Sequence, residues 1–282
     1  MENTILLIGD LSITLPAAAV SSAGNDRYLP FRGEDLAHQE DWLVQTGLPP
    51  PELYSSTPSP TRWAVSRRKN KKLFQLRLGR NNSSWWKTAL MEEDCSRGEI
   101  WWNQKLAGRR SGPLFCLDIF LWAHLLLSRN GLIIHAAALG REGEAYLFPG
   151  PTGSGKSTWS ELAAADPEWE ILGEDKVVLR RVGENYFIYG SPWNPRPAYR
   201  SAARGVLRGV FFLHPGGFNR LTILPPAATF QRLLRACFLP FSDPAEMEEV
   251  LSLLQEVSGN FPGRVFSFQP DRSALPFWRE RR

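Results

Sequence analysis

The chain has 282 residues, 43% of them hydrophobic and 22% charged, which excludes a disordered or collagen-like polypeptide and allows one large or two moderate packed domains. A net charge of +4, spread over several segments, permits a nucleic-acid partner without implying one, and none is expected. No apolar run approaches bilayer length, and Cys95, Cys116 and Cys237 lack metal-ligand spacing, so the expectation is a cytoplasmic protein with small buried thiols and no membrane partner.

Residues 1–60 combine an apolar start, Ile5-Leu6-Leu7-Ile8, with an alanine-rich patch and the prolines of 49–51 and 57–60, which read as a linker or a long surface crossing. From Trp63 to Trp102, Phe74, Leu76 and Leu78 alternate with Gln75 and Arg77, and aromatic strands follow at Trp85–Leu90 and Glu99–Trp102, predicting a small antiparallel sheet. The basic run Arg67–Lys72 suits a solvated hairpin tip better than a nucleic-acid patch. Trp85, Trp86, Trp101 and Trp102 are candidates for a peptide-recognition surface, with core filling expected for about half of them. Pro113–Arg129 reads as a helix stopped by Asn130-Gly131, joining a β-rich N-terminal domain, 1–112, to a second domain, 113–282.

In the second domain, strands Leu132–Leu139 and Glu144–Phe148 are joined by a turn at Gly140–Gly143. Gly150-Pro151-Thr152-Gly153-Ser154-Gly155-Lys156-Ser157-Thr158 then fits the phosphate-loop pattern, with a strand entering it and a helix, Trp159–Ala165, leaving it. A strand over Ile171–Arg180 contains Glu174-Asp175; Tyr186–Tyr189 is another strand, Gly190–Pro195 a rigid loop, and Gly209–Leu213 a buried strand. Helices are expected over Thr229–Leu239 and from Asp243, where Pro244 and Glu246 suit a capping box, before a last strand, Arg264–Phe268, and a polar tail. The fold class is α/β, of the α+β kind with a mixed sheet.

The loop defines the chemistry first. Glycines let successive N–H groups converge, and the helix N-terminus adds a positive dipole end, so Gly150, Thr152, Gly153, Ser154, Gly155, Lys156, Ser157 and Thr158 are the candidate nucleotide-binding residues. Lys156 is placed along the β- and γ-phosphates, and the Ser157 hydroxyl on Mg²⁺. An ordinary phosphate-loop nucleoside triphosphatase would follow with an apolar strand ending in an Asp that helps hold Mg²⁺; here Val210–Leu213 ends in His214-Pro215. The nearest acidic pair is Glu174-Asp175, eighteen and nineteen residues after Lys156. On one strand, neighbours point to opposite faces, so one carboxylate would face an acceptor while the other meets Mg²⁺ or His135. Arg196, Arg200, Arg204 and Arg208 recur every fourth residue and suit a helix face meeting phosphate or an acidic peptide, or simply a solvated face.

These residues resemble the HPr kinase/phosphorylase-like family, whose nucleotide domain is similar to that of phosphoenolpyruvate carboxykinase. Three elements carry the resemblance in order: His135 in Ile133-Ile134-His135-Ala136-Ala137, twenty-one residues before Lys156; the loop at Gly150–Ser157; and Glu174-Asp175-Lys176. It covers residues 113–282 and is closer to stand-alone members found with ribosomally made peptides, including lasso-peptide tail kinases, through Gly131–Ala136, Gly190–Trp193 and Phe261–Trp278. The resemblance implies a phosphoenolpyruvate carboxykinase-like P-loop core, Glu174 as base and Asp175 paired to His135. Glu174 stands where the family usually has Asp, which keeps a carboxylate but moves it by one methylene.

The resulting expectation is a kinase using ATP, or another nucleoside triphosphate, and Mg²⁺ to phosphorylate a Ser or Thr hydroxyl of a peptide or small protein. His135, Lys156, Glu174 and Asp175 would be catalytic, and Ser157 and Asp175 would hold the metal. Alternatives are a small-molecule hydroxyl kinase and a nucleotide-binding regulatory module without turnover; carboxykinase chemistry lacks a second His and Lys arranged for a transition metal. A homo-oligomer is compatible with all three.

Overall fold

Short apolar runs recur through both halves of the chain, and each half builds a sheet from them. The computed structural model describes residues 3–20, 26–33, 39–46, 49–50, 53, 62–77, 85–103, 105, 114, 116–241 and 243–282. It forms two compact units, Met1–Ser128 with Pro240–Asp243, and Arg129–Leu239 with Pro244–Arg282. Both contain mixed sheets, so the protein is α+β. Among the described residues, no helix is long and apolar enough to cross a membrane.

The first unit starts with β1 (Asn3–Ile8) and β2 (Leu11–Pro16), then α1 (Ala17–Val20), β3 (Arg32–Gly33) and β4 (Gln39–Thr46). After these come β5 (Trp63–Arg68), β6 (Lys71–Arg77), β7 (Trp85–Glu92), β8 (Arg97–Trp102) and α2 (Asp118–Leu127). The sheet order is β3-β1-β2-β4-β8-β7-β6-β5. Its 63–102 portion is antiparallel as expected, but β4 runs parallel to both β2 and β8 and makes the whole sheet mixed. The proline stretch 57–60 lies outside the described residues.

Side-chain packing settles the aromatic question in this unit. Trp85, Trp86 and Trp101 are 3%, 7% and 6% exposed, so they fill the core rather than a peptide-facing surface. The basic run caps the β5–β6 hairpin, with Lys69 at φ 54°, and Arg67 pairs with Glu93 at 2.7 Å and Asp243 at 2.8 Å. Of the thiols expected to be buried, Cys95 is buried, Cys237 is half-buried and Cys116 is exposed.

The second unit is built from β9 (Gly131–Arg141), β10 (Glu144–Pro149), α3 (Lys156–Ala164), β11 (Glu170–Gly173), β12 (Lys176–Val182), β13 (Asn185–Tyr189) and β14 (Arg204–Pro215). It ends with β15 (Arg220–Ile223), α4 (Pro226–Ala236), α5 (Pro244–Asn260), β16 (Arg264–Phe268) and α6 (Ala274–Arg281). Pairings run β10-β9-β12-β13-β14 and return to β10, so five strands close into a ring that leaves no open edge among them. The β9–β10 turn is only Glu142-Gly143, with φ of 51° and 78°, the positive pair that a tight hairpin requires.

Three expectations are corrected here. Ile171–Arg180 is two strands, β11 and β12, interrupted at Glu174-Asp175. Arg204 and Arg208 lie on β14, so the four arginines share no helix face. The polar tail is α6, which buries Ala274, Leu275 and Trp278 beneath its charged residues. Trp278 is fully buried at the centre of an aromatic cluster, with ring centroids 5.1–5.5 Å from Tyr146, Phe148, Trp159, Trp169 and Phe211.

Candidate active site

The glycine loop is seated by the helix that follows it. In α3 the buried residues are Lys156, Trp159, Ser160 and Ala163, one stripe at helical spacing that anchors the helix through Trp159 to the aromatic cluster. Gly155 precedes the helix at φ 95°, and a Cβ there would lie 2.7 Å from Pro215 Cγ and 3.2 Å from the Phe268 ring. Only glycine fits this turn without strain. No side chain caps α3, so its first-turn N–H groups are available to an anion. Lys156 Nζ meanwhile donates to the carbonyls of Gly150 at 2.7 Å and Pro151 at 2.8 Å.

The acidic pair reaches the same pocket because β11 and β12 part at that point. The N–H groups of Glu174 and Asp175 both donate to Asn194 Oδ1, at 2.8 and 3.0 Å. Asn194 Nδ2 in turn donates to Ser191 O, and Ser191 Oγ donates to Lys176 O, so the Gly190–Pro195 loop holds the bend from outside. Both carboxylates therefore line one cavity of about 340 Å³ with His135, Thr152, Gly153, Gly155, Lys156, Ser157, Thr158, Pro195 and Pro215, rather than opposite faces of a strand. Gly150 and Ser154 line an adjoining cavity on the other side of the loop, of about 410 Å³.

The two carboxylates have different surroundings. Glu174 is 6% exposed; burial pushes its pKa up, Arg196 opposes that shift, and its Oε2 is buried without a hydrogen-bond partner among the described residues. Asp175 receives His135 Nε2 at 3.1 Å on Oδ1 and the Lys176 ammonium on Oδ2. Burial alone would raise Asp175, but these hydrogen bonds and the Lys176 charge outweigh it and hold the carboxyl at about 2, against 3.8 ordinarily. One carboxylate is thus kept ionised while its neighbour has a raised proton affinity, the separation of environments that sets apart acid–base and charge-holding roles.

This has a consequence for stability. A depressed folded pKa stabilises above the unfolded value and loses that contribution as pH falls through the folded one, so Asp175 contributes fully above pH 3.8 and loses its effect towards pH 2. The contribution is at most about 2 kcal/mol, reduced by the side chain's 29% exposure. The stability difference between the native chain and Asp175→Asn, read from denaturant midpoints, is expected to be constant above about pH 4 and to shrink below it. A difference that does not change with pH would show that the pairing is not formed.

All four candidate catalytic residues, His135, Lys156, Glu174 and Asp175, line the one cavity, as does Ser157. His135 is also the one half-exposed residue within the otherwise buried interior of β9. Sequence reasoning missed Asn194 and Ser191; the signal was an Asn between two prolines, Pro192 and Pro195, in a loop otherwise read only as rigid. Among the described residues, no three His, Cys, Asp or Glu side chains converge as a metal cage. A hydroxyl and an ionised carboxylate, the donors that Ser157 and Asp175 offer, are hard oxygen ligands of the kind that hold Mg²⁺ together with phosphate oxygens and water. Compared with protein-family models and with curated proteins, the chain matches none.

Proposed function

We propose that the protein is an ATP- and Mg²⁺-dependent kinase with a phosphoenolpyruvate carboxykinase-like P-loop core, acting on a Ser or Thr hydroxyl of a peptide or small protein. The acceptor class includes the tail of a ribosomally made, lasso-type precursor. The observation that carries this reading is the convergence of the glycine loop and two unlike carboxylates on one cavity. Phosphoryl transfer needs positioning, charge neutralisation and a proton acceptor, and little else from the protein.

The loop and the first turn of α3 bind the β- and γ-phosphates through backbone N–H groups, and Lys156 exchanges its two carbonyl partners for phosphate oxygens. Ser157 and Asp175 would hold Mg²⁺, which when bound would supply charge neutralisation for the transferring phosphoryl group. His135 and Lys176 fix the Asp175 carboxylate. The acceptor hydroxyl gives its proton to the Glu174 carboxylate while its oxygen bonds to the γ-phosphorus, and the bond to the β–γ bridging oxygen breaks to release ADP. A raised proton affinity makes Glu174 the better proton acceptor of the two carboxylates.

The test is transfer from labelled ATP to peptides encoded beside the gene. Glu174→Gln is expected to lower kcat by about 10²–10⁴-fold, the range of a general base, and Asp175→Ala to remove the metal dependence along with the activity. Full transfer by either variant would sink this assignment of roles.

A further inference from the structure

One guanidinium spans the two halves of the cavity. Arg196 stands in extended conformation just before the short turn Pro197–Tyr199, immediately after Pro195 of the cavity wall. Its Nε lies 3.2 Å from Glu174 Oε1, and its Nη1 2.8 Å from Glu161 Oε1. Glu161 belongs to α3, the helix that carries Lys156, whereas Glu174 belongs to the acidic bend. The other three arginines of the series are engaged elsewhere: Arg200 donates to Asn194 O at 2.9 Å, Arg204 covers the Phe187 ring, and Arg208 pairs with Glu144 at 3.0 Å.

The two ends of the Arg196–Glu174 pair differ in burial. The arginine side chain is 43% exposed and the glutamate 5%. An exposed arginine pair is worth little as a stabilising device. This one touches a buried carboxylate through Oε1, and among the described residues the second oxygen, Oε2, is buried without a hydrogen-bond partner. The carboxylate so held belongs to a residue lining the cavity.

We propose that Arg196 is a positioning residue: it fixes the Glu174 carboxylate through Oε1 and ties the acceptor side of the cavity to the donor helix through Glu161. The proposal rests on Glu174 serving as the base. It also accounts for Glu at this position, because the longer arm reaches a guanidinium that is itself tethered to α3. A planar guanidinium can meet two carboxylates at once, which the single ammonium of a lysine cannot do with the same geometry.

The experiment compares full-length Arg196→Gln, Arg196→Lys, Glu161→Gln and Glu174→Gln, with kcat and KM for ATP measured for each and the thermal midpoint recorded alongside. Arg196→Gln is expected to lower kcat by about 10–100-fold, with KM for ATP within about twofold and little change in the midpoint. Arg196→Lys recovers only part of kcat, and Glu161→Gln lowers kcat less than Arg196→Gln does. An Arg196→Gln protein with native kcat, or full rescue by Arg196→Lys, overturns the proposal. A Glu174→Gln enzyme as active as the native one overturns the base assignment instead.

Discussion

Lys156→Ala is expected to lower phosphoryl transfer from labelled ATP by about 10²–10³-fold or more, the scale of losing a positioned charge that stabilises the transition state. The amine is 7% exposed, and its pKa is pulled down by burial and back up by Asp175 and Glu174. In the structure it is held by two neutral carbonyls, those of Gly150 and Pro151, which it can leave when phosphate oxygens arrive. Its removal leaves those carbonyls beside an open cavity, so the cost to stability is only about 1 kcal/mol. Initial rates measured alongside thermal unfolding separate the two effects. A variant that transfers phosphate at the native rate would show that the glycine loop is not the donor site.

Trp278→Ala is expected to destabilise the second unit by about 3–5 kcal/mol, the range for deleting a large buried aromatic side chain. The indole is fully buried and meets five aromatic rings, among them Trp159 of α3. The loss therefore reaches the helix that seats the glycine loop. Denaturant unfolding, followed by a probe in the second unit because two units need not unfold together, reads the change as a fall in midpoint. A change below about 1 kcal/mol would mean that α6 is not part of this core.

The parts of the site that local chemistry determines were legible in the sequence. Gly153 and Gly155 adopt φ of 86° and 95°, and the loop's spacing already announced those turns. The β9–β10 hairpin was visible as two apolar strands joined by a short turn, although β9 runs on to Arg141 and narrows the turn to two residues. The parts that depend on distant partners were not legible. Nothing local distinguishes Ile171–Arg180 from one continuous strand, because the break is held by the Asn194 side chain, about twenty residues downstream. The four-residue spacing of the arginines imitates a helix, yet it falls across a turn and a strand, and Arg196 pairs with a cavity carboxylate. α6 was hidden by composition: Arg272, Arg279, Arg281 and Arg282 made a polar tail of a segment whose packing depends on Leu275 and Trp278.

Strand β9 carries one last consequence. On one side, the His135 carbonyl accepts the Gly150 N–H; on the other, the Ala136 N–H donates to the Asp175 carbonyl. Glycine loop and acidic bend thus flank a single strand, with a span set by two interstrand spacings, about 10 Å. A hinged enzyme gives up conformational entropy each time it closes around its substrates. Under the proposed function, the ordering of the two sides is completed once, when the ring of strands forms, so binding free energy need not be diverted into bringing them together.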